Sequence, residues 1–83
     1  MEKIKQQIEK LIVFKATSLE DLYAEYETLK DRCNQGIENM KESQLFSSQE
    51  ISEIKEFTNQ LLCNRYREYQ LFVTNKAREA FIF

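Results

Sequence analysis

The 83-residue chain contains one glycine, Gly36, and neither proline nor histidine. Glycine and proline supply most tight turns between strands and most breaks within helices. A chain nearly without them predicts an all-α protein built from a few long helices. Histidine is the commonest general base and a frequent metal ligand, so its absence argues against catalysis and metal binding. We therefore expect no enzyme activity and no cofactor.

The length suits one domain with one hydrophobic core, and we expect residues 1–83 to form a single helical domain. Domains this small are often completed by a partner or a second copy. The longest internal apolar run, Leu11 to Phe14, has four residues, whereas a membrane span needs about 20. The run is also shorter than the apolar part of a secretory signal. We expect no membrane span and a cytoplasmic location.

Charge is unevenly distributed along the chain. Residues 18–56 carry ten acidic and four basic side chains, whereas both flanking regions carry four basic and two acidic ones. Two interpretations stay open: the helices balance one another's charges within the molecule, or the acidic surface meets a basic partner.

The first helix is predicted from about Glu2 to Lys15, because Ile4, Ile8, Leu11 and Ile12 follow helical spacing. A break is expected near Thr17, where Thr17-x-x-Glu20 fits a capping box and Ser18 offers a second cap. The first helix is then either separate from the second or continuous with it.

The second helix is predicted to reach about Glu42 or Ser43, with Gly36 inside it. That glycine permits a close helix approach, marks a kink or is merely tolerated. The apolar stripe of this helix is Leu19, Leu22, Tyr26, Leu29, Cys33, Ile37 and Met40.

The third helix is predicted to start at Ser48. Ser47 and Glu50 form a capping box, and Phe46 can pack on Ile51 as a hydrophobic staple. No break residue follows, so this helix would be about 50 Å long. Its apolar face is predicted as Ile51, Ile54, Leu61, Leu62, Tyr66, Tyr69, Phe72, Val73, Ala77 and Ala80.

A turn at Leu45 and Phe46 makes the second and third helices an antiparallel hairpin. With the shorter N-terminal helix folded against it, the fold is a three-helix bundle. If the first helix instead continues the second, a wide apolar face stays open and the chain dimerises or binds a partner.

The hairpin register places all four tyrosines in one layer, as part of the core or as a contact surface. The apolar C-terminal residues either pack on the first helix or dock on another protein. The candidate partner-binding residues are Tyr23, Tyr26, Tyr66, Tyr69, Phe81 and Phe83.

The cysteines and arginines have simpler interpretations. Cys33 and Cys63 are expected to be reduced and buried. Basic and aromatic residues alternate over 64–69, but an isoelectric point near 5.2 argues against nucleic-acid binding. Arg65, Arg67 and Arg78 are predicted to pair with acids of the second helix.

The chain also resembles the flagellar filament-cap export chaperones and, more loosely, the small helical chaperones of type III secretion. The resemblance covers residues 19–80. It lies in Leu22, Leu29 and Arg32, in Ser47-x-x-Glu50 opening a long helix with Ile51, Ile54, Leu61, Leu62, Arg65 and Glu68, and in Lys76-Ala77-x-x-Ala80. We expect no counterpart of the extra C-terminal helix that the flagellar members carry. The resemblance implies a cytosolic protein that masks an assembly-prone part of an export substrate.

The sequence thus favours a cytosolic protein-binding adaptor or secretion-type chaperone that masks an amphipathic segment of its partner. The alternative is a small acidic inhibitor or immunity-type protein, phage- or plasmid-encoded, that blocks a basic surface of its target. The expected partner is another protein or a second copy in a homodimer.

Overall fold

The computed structural model describes residues 1–81, which form three α-helices and no strand. Helix α1 spans Glu2–Leu11, α2 spans Leu19–Ser43 and α3 spans Ser48–Phe81. The prediction of an all-α fold is confirmed, and α1 is separate from α2. Within these residues, no helix has the length and apolar character needed to cross a membrane.

Helices α2 and α3 form the hairpin, and α1 lies against it, running in the same direction as α3. Near the start of α1, Lys5 Nζ lies 3.1 Å from Glu53 Oε1, whereas the end of α1 lies beside Arg65. The molecule measures 57 × 19 × 15 Å. Helix α3 has 34 residues against 25 in α2, and its last two turns, residues 74–81, are exposed throughout.

Side-chain caps fix where α2 and α3 begin. The Glu50 amide donates to Ser47 Oγ at 3.1 Å and the Ser47 amide donates to Glu50 Oε1 at 2.9 Å, so the predicted capping box is confirmed. The capping box at Thr17 was wrong. Ser18 is the cap, because its Oγ accepts the Asp21 amide at 3.1 Å.

Helix α1 ends at Leu11 rather than at the predicted Lys15. Residues 12–17 are not helical, and their burial alternates with the two-residue period of an extended chain. Ile12, Phe14 and Ala16 are buried, whereas the three residues between and after them are exposed. We call residues 12–17 the extended segment.

The core forms where the extended segment meets the hairpin. Its buried members are Ile12, Phe14, Ala16, Leu22, Leu29, Cys33 and Leu62. Further buried residues along the hairpin are Ile37, Ile54, Thr58 and Val73, and the Thr58 hydroxyl donates to the Ile54 carbonyl at 2.7 Å. The predicted stripes were wrong at positions that are exposed: Leu19, Phe72, Ala77 and Ala80.

The structure decides between the interpretations of Gly36 and corrects the prediction for one cysteine. Helix α2 runs through Gly36 without a break, and a Cβ added there would meet no atom within 4 Å, so the glycine is tolerated and serves neither a kink nor a close helix approach. Cys63 is exposed, which corrects the prediction that both cysteines are buried; Cys33 is buried and neither is in a disulfide. Position 63 follows the buried Leu62, and neighbouring positions on a helix point about 100° apart.

Candidate functional site

An apolar groove lies between the extended segment and α3. It consists of two adjoining hollows of about 490 and 310 Å³ that share Tyr69 and Phe72. The larger is also lined by Ile12, Val13, Phe14, Arg65 and Glu68, and the smaller by Ala16, Thr17, Val73 and Lys76. We call this feature the α3 groove.

The α3 groove leaves large apolar side chains in contact with solvent. Val13 and Phe72 are each 51% exposed on its two sides. Single exposed apolar residues are ordinary on a protein surface, but residues that line one concave feature mark a candidate interaction site. Two other large apolar residues of α3, Leu71 and Phe81, are also exposed but do not line the groove.

An aromatic cluster forms the floor of the groove. The Phe14 ring lies 6.1 Å from Tyr66 and 6.0 Å from Tyr69, measured between centroids. Tyr66 also contacts Tyr26 at 4.6 Å, and Tyr69 contacts Phe72 at 5.4 Å. Offset and edge-on pairs at such distances are favourable beyond the area they bury, so they hold Tyr69 and Phe72 in place.

Three of the four tyrosines of the predicted layer, Tyr26, Tyr66 and Tyr69, pack against the core. Tyr23 is 57% exposed and does not pack against the core. The Glu27 carboxylate raises the pKa of Tyr23, with smaller contributions from the neighbouring Tyr66 and Tyr26.

The predicted C-terminal site lies at the far tip of α3. Phe81 is 93% exposed, which corrects the expectation that this residue packs on the first helix. Phe83 lies outside the described residues. Exposure leaves Phe81 available to a partner, but the structure does not join it to the α3 groove.

Charged side chains stand at both ends of the groove. Arg65 and Glu68 lie at one end, and Lys76 lies at the other, with its ammonium 5.8 Å from the centroid of Phe72. A cation at this distance interacts favourably with an aromatic face. The groove therefore offers an apolar floor with one acidic and two basic groups on its margin.

Arg65 does not pair with an acid of α2, contrary to the prediction. Its Nη1 donates to the carbonyl of Ile12 at 2.7 Å and also to the carbonyl of Glu9. These carbonyls belong to the C-terminal end of α1, where helical partners run out and positive charge is favourable. Arg65 thus fastens the end of α1 to α3.

Among residues 1–81, no acidic side chain of α2 forms an ion pair with another helix. Helix α2 carries seven acidic and three basic residues. Within residues 1–81, the ion pair between helices joins Lys5 of α1 to Glu53 of α3, and the pair within α2 joins Glu38 to Lys41. Direct contact with α3 therefore does not neutralise the acidic side chains of α2 in the described part of the chain.

Sequence reasoning missed two features of this site. Val13 was treated as part of a helix, and Phe72 as part of a buried face, yet both line the groove in half-exposed positions. The available signal was short, because apolar and polar residues alternate only over residues 14–17, and Val13 lies in an apolar run. Among residues 1–81, no group of three or more metal-ligating side chains is placed to hold a metal ion.

A scan against protein-family models, a search of curated proteins and a search of solved structures found no match to this chain. The fold and the site define a class only: a small three-helix protein with an aromatic-floored apolar groove. The resemblance to secretion chaperones stays a prediction.

Proposed function

We propose that this protein is a small helical adaptor or secretion-type chaperone that masks an amphipathic segment of a partner protein. The observation that carries the proposal is the α3 groove, where Val13, Tyr69 and Phe72 form an apolar surface held open by the fold. The proposal includes a cytoplasmic location and a bacterial or phage origin.

The groove suits the apolar side of an amphipathic segment. Aromatic side chains provide large contact areas with few rotatable bonds, and they are enriched where proteins bind each other. Arg65, Glu68 and Lys76 on the margin can meet the polar side of the same segment. Partner binding would therefore bury mainly apolar area and depend little on salt.

The test is affinity capture from an extract of the native cell with three forms of the protein. Phe72→Glu places a charge in the groove, whereas Leu45→Glu places the same charge on an 82% exposed residue in the turn at the other end of the hairpin. We expect wild type and Leu45→Glu to retain the same captured protein in about 0.5 M salt, and Phe72→Glu to lose it.

Two results would contradict the proposal. Retention by Phe72→Glu would show that the groove is not the binding surface. The second result is that wild type captures no protein but forms a concentration-dependent dimer in sedimentation equilibrium, and that Phe72→Glu abolishes this dimer. It would assign the groove to a second copy.

A second candidate function is inhibition of a target with a basic surface. It is favoured by the acidic side chains of α2, which no ion pair ties to another helix among residues 1–81. Charge-driven association slows steeply as salt rises. A captured protein released in about 0.5 M salt, and bound equally by Phe72→Glu, would favour this function over the first.

A further inference from the structure

The extended segment occupies the cleft between α2 and α3 in the manner of a bound peptide. Its backbone lies between Glu25 of α2 and Arg65 of α3, and its three buried side chains point into the core. The segment therefore shows what kind of chain the hairpin can hold. We call this cleft the hairpin cleft and residues 1–17 the N-terminal arm.

Side chains of the hairpin bind the arm through its backbone. Glu25 Oε1 accepts the amides of Lys15 and Ala16, each at 3.0 Å. The Tyr69 hydroxyl donates to the Ala16 carbonyl at 3.0 Å, and Arg65 donates to the two carbonyls described above. All of these bonds go to main-chain atoms, which any extended segment possesses.

Side-chain selectivity comes from every second position. Ile12 is fully buried, the Phe14 ring lies against Tyr66, and Ala16 is 7% exposed. The residues between them, Val13 and Lys15, are exposed, so the cleft does not select their side chains. A segment that fits would carry an aliphatic, an aromatic and a small residue at alternate positions.

We infer that the hairpin cleft is a binding site for an extended segment of a partner protein with this alternating apolar pattern, and that residues 12–16 occupy it within the same chain. The inference rests on the proposed function for the existence of a partner. It places the partner's segment where residues 12–16 lie, so that the segment replaces the part of the α3 groove formed by the arm and contacts Tyr69 and Phe72 of α3.

The inference requires that the arm can leave the cleft while the hairpin stays folded. Thr17 and Ser18, both exposed, connect residues 12–16 to α2. A tethered occupant competes at an effective concentration in the millimolar range. The apparent affinity of a partner segment is therefore its intrinsic affinity multiplied by the fraction of molecules whose cleft is open.

The test uses the full chain and a fluorescent synthetic peptide with the sequence of residues 9–17. In Phe14→Asp the buried ring of the arm is replaced by a charge, so the arm leaves and the peptide enters. We expect the peptide to bind Phe14→Asp at least tenfold more tightly than wild type in fluorescence anisotropy. Leu11→Asp places the same charge on another residue of the arm, which is 42% exposed and does not line the α3 groove, and it should bind as wild type does.

A peptide that itself carries Phe14→Asp should bind none of the three proteins. Equal affinity of the unmodified peptide for wild type and Phe14→Asp would overturn the inference. So would absence of binding to a Phe14→Asp protein with unchanged helical circular dichroism. A dimer of wild type that Phe14→Asp abolishes would assign the cleft to the arm of a second copy and overturn the partner assignment.

If Phe14→Asp loses its helicity, hydrogen exchange of the wild-type protein shows whether the arm can leave the cleft without global unfolding. A replaceable arm requires that the amides of Lys15 and Ala16 exchange at least tenfold faster than those of Leu29 and Cys33 in α2. Equal protection would mean that the arm opens only on global unfolding, which overturns the inference. The proposed function is tested separately by the capture experiment with Phe72→Glu. The peptide assay needs no cellular partner, so either test can fail without the other.

Discussion

Arg65 is the side chain whose removal should most weaken the attachment of α1. Its Nη1 donates to the carbonyls of Glu9 and Ile12. A hydrogen bond to a charged group contributes about 1.5 to 3 kcal/mol, and Arg65 is only half-buried. Both hydrogen bonds come from one nitrogen, so together they contribute less to the free energy of unfolding than two independent bonds of this kind. We expect Arg65→Met to lower the free energy of unfolding by about 2 to 4 kcal/mol.

The assay is urea denaturation followed by far-ultraviolet circular dichroism. Arg67→Met is the matched control, because Arg67 lies two positions further along α3 and is exposed. Exposed substitutions of this kind change stability by about 0.5 kcal/mol or less. A loss below about 0.5 kcal/mol for Arg65→Met, or equal losses for both variants, would refute the reasoning that Arg65 fastens α1 through its carbonyls.

Three further predictions concern the core and the small residues. Leu62→Ala should cost about 2 to 5 kcal/mol in urea denaturation, because Leu62 is 3% exposed; the half-buried Leu61 should cost less, and the reverse order would contradict the described face of α3. Gly36→Ala should stabilise α2 by up to about 1 kcal/mol, since a Cβ there meets no neighbour; a lower melting temperature would show that the site is crowded. Cys63 should react with a thiol reagent well before Cys33, because burial both shields Cys33 and raises its pKa; equal rates in the single-cysteine variants would contradict the described burial.

Local sequence signals correctly predicted where α2 ends and α3 begins, on either side of the hairpin turn. The start of α3 follows from Ser47 and Glu50, whose reciprocal bonds involve neighbours three residues apart. The end of α2 at Ser43 agrees with the prediction that this helix reaches Glu42 or Ser43. Such features depend on short-range contacts, and these are written in the sequence itself.

The end of α1 could not be predicted in the same way. The helical spacing of apolar residues runs through Ile8, Leu11 and Ile12. The alternation of buried and exposed positions also starts at Ile12, so the two patterns share one residue. The chain leaves the helix where side chains far along the sequence bind its backbone: Glu25 is 10 residues from Lys15, and Arg65 is 53 residues from Ile12. Charge counting paired Arg65 with acids and could not foresee that it binds carbonyls.

The candidate site was predicted only in part for the same reason. Tyr66 and Tyr69 were expected to lie together, and they do. The groove above them exists because the extended segment runs beside α3 and leaves Val13 and Phe72 half-exposed. A surface made by one segment near the start of the chain and another near its end requires the tertiary structure.

The central claim is that a partner binds on the surface formed by the extended segment and α3. The most direct measurement is a titration of isotope-labelled protein with the captured partner, followed by amide chemical shifts in nuclear magnetic resonance. We predict that the shifts concentrate in residues 12–17 and 65–76. Shifts confined to the exposed acidic residues of α2, with residues 65–76 unchanged, would contradict the claim.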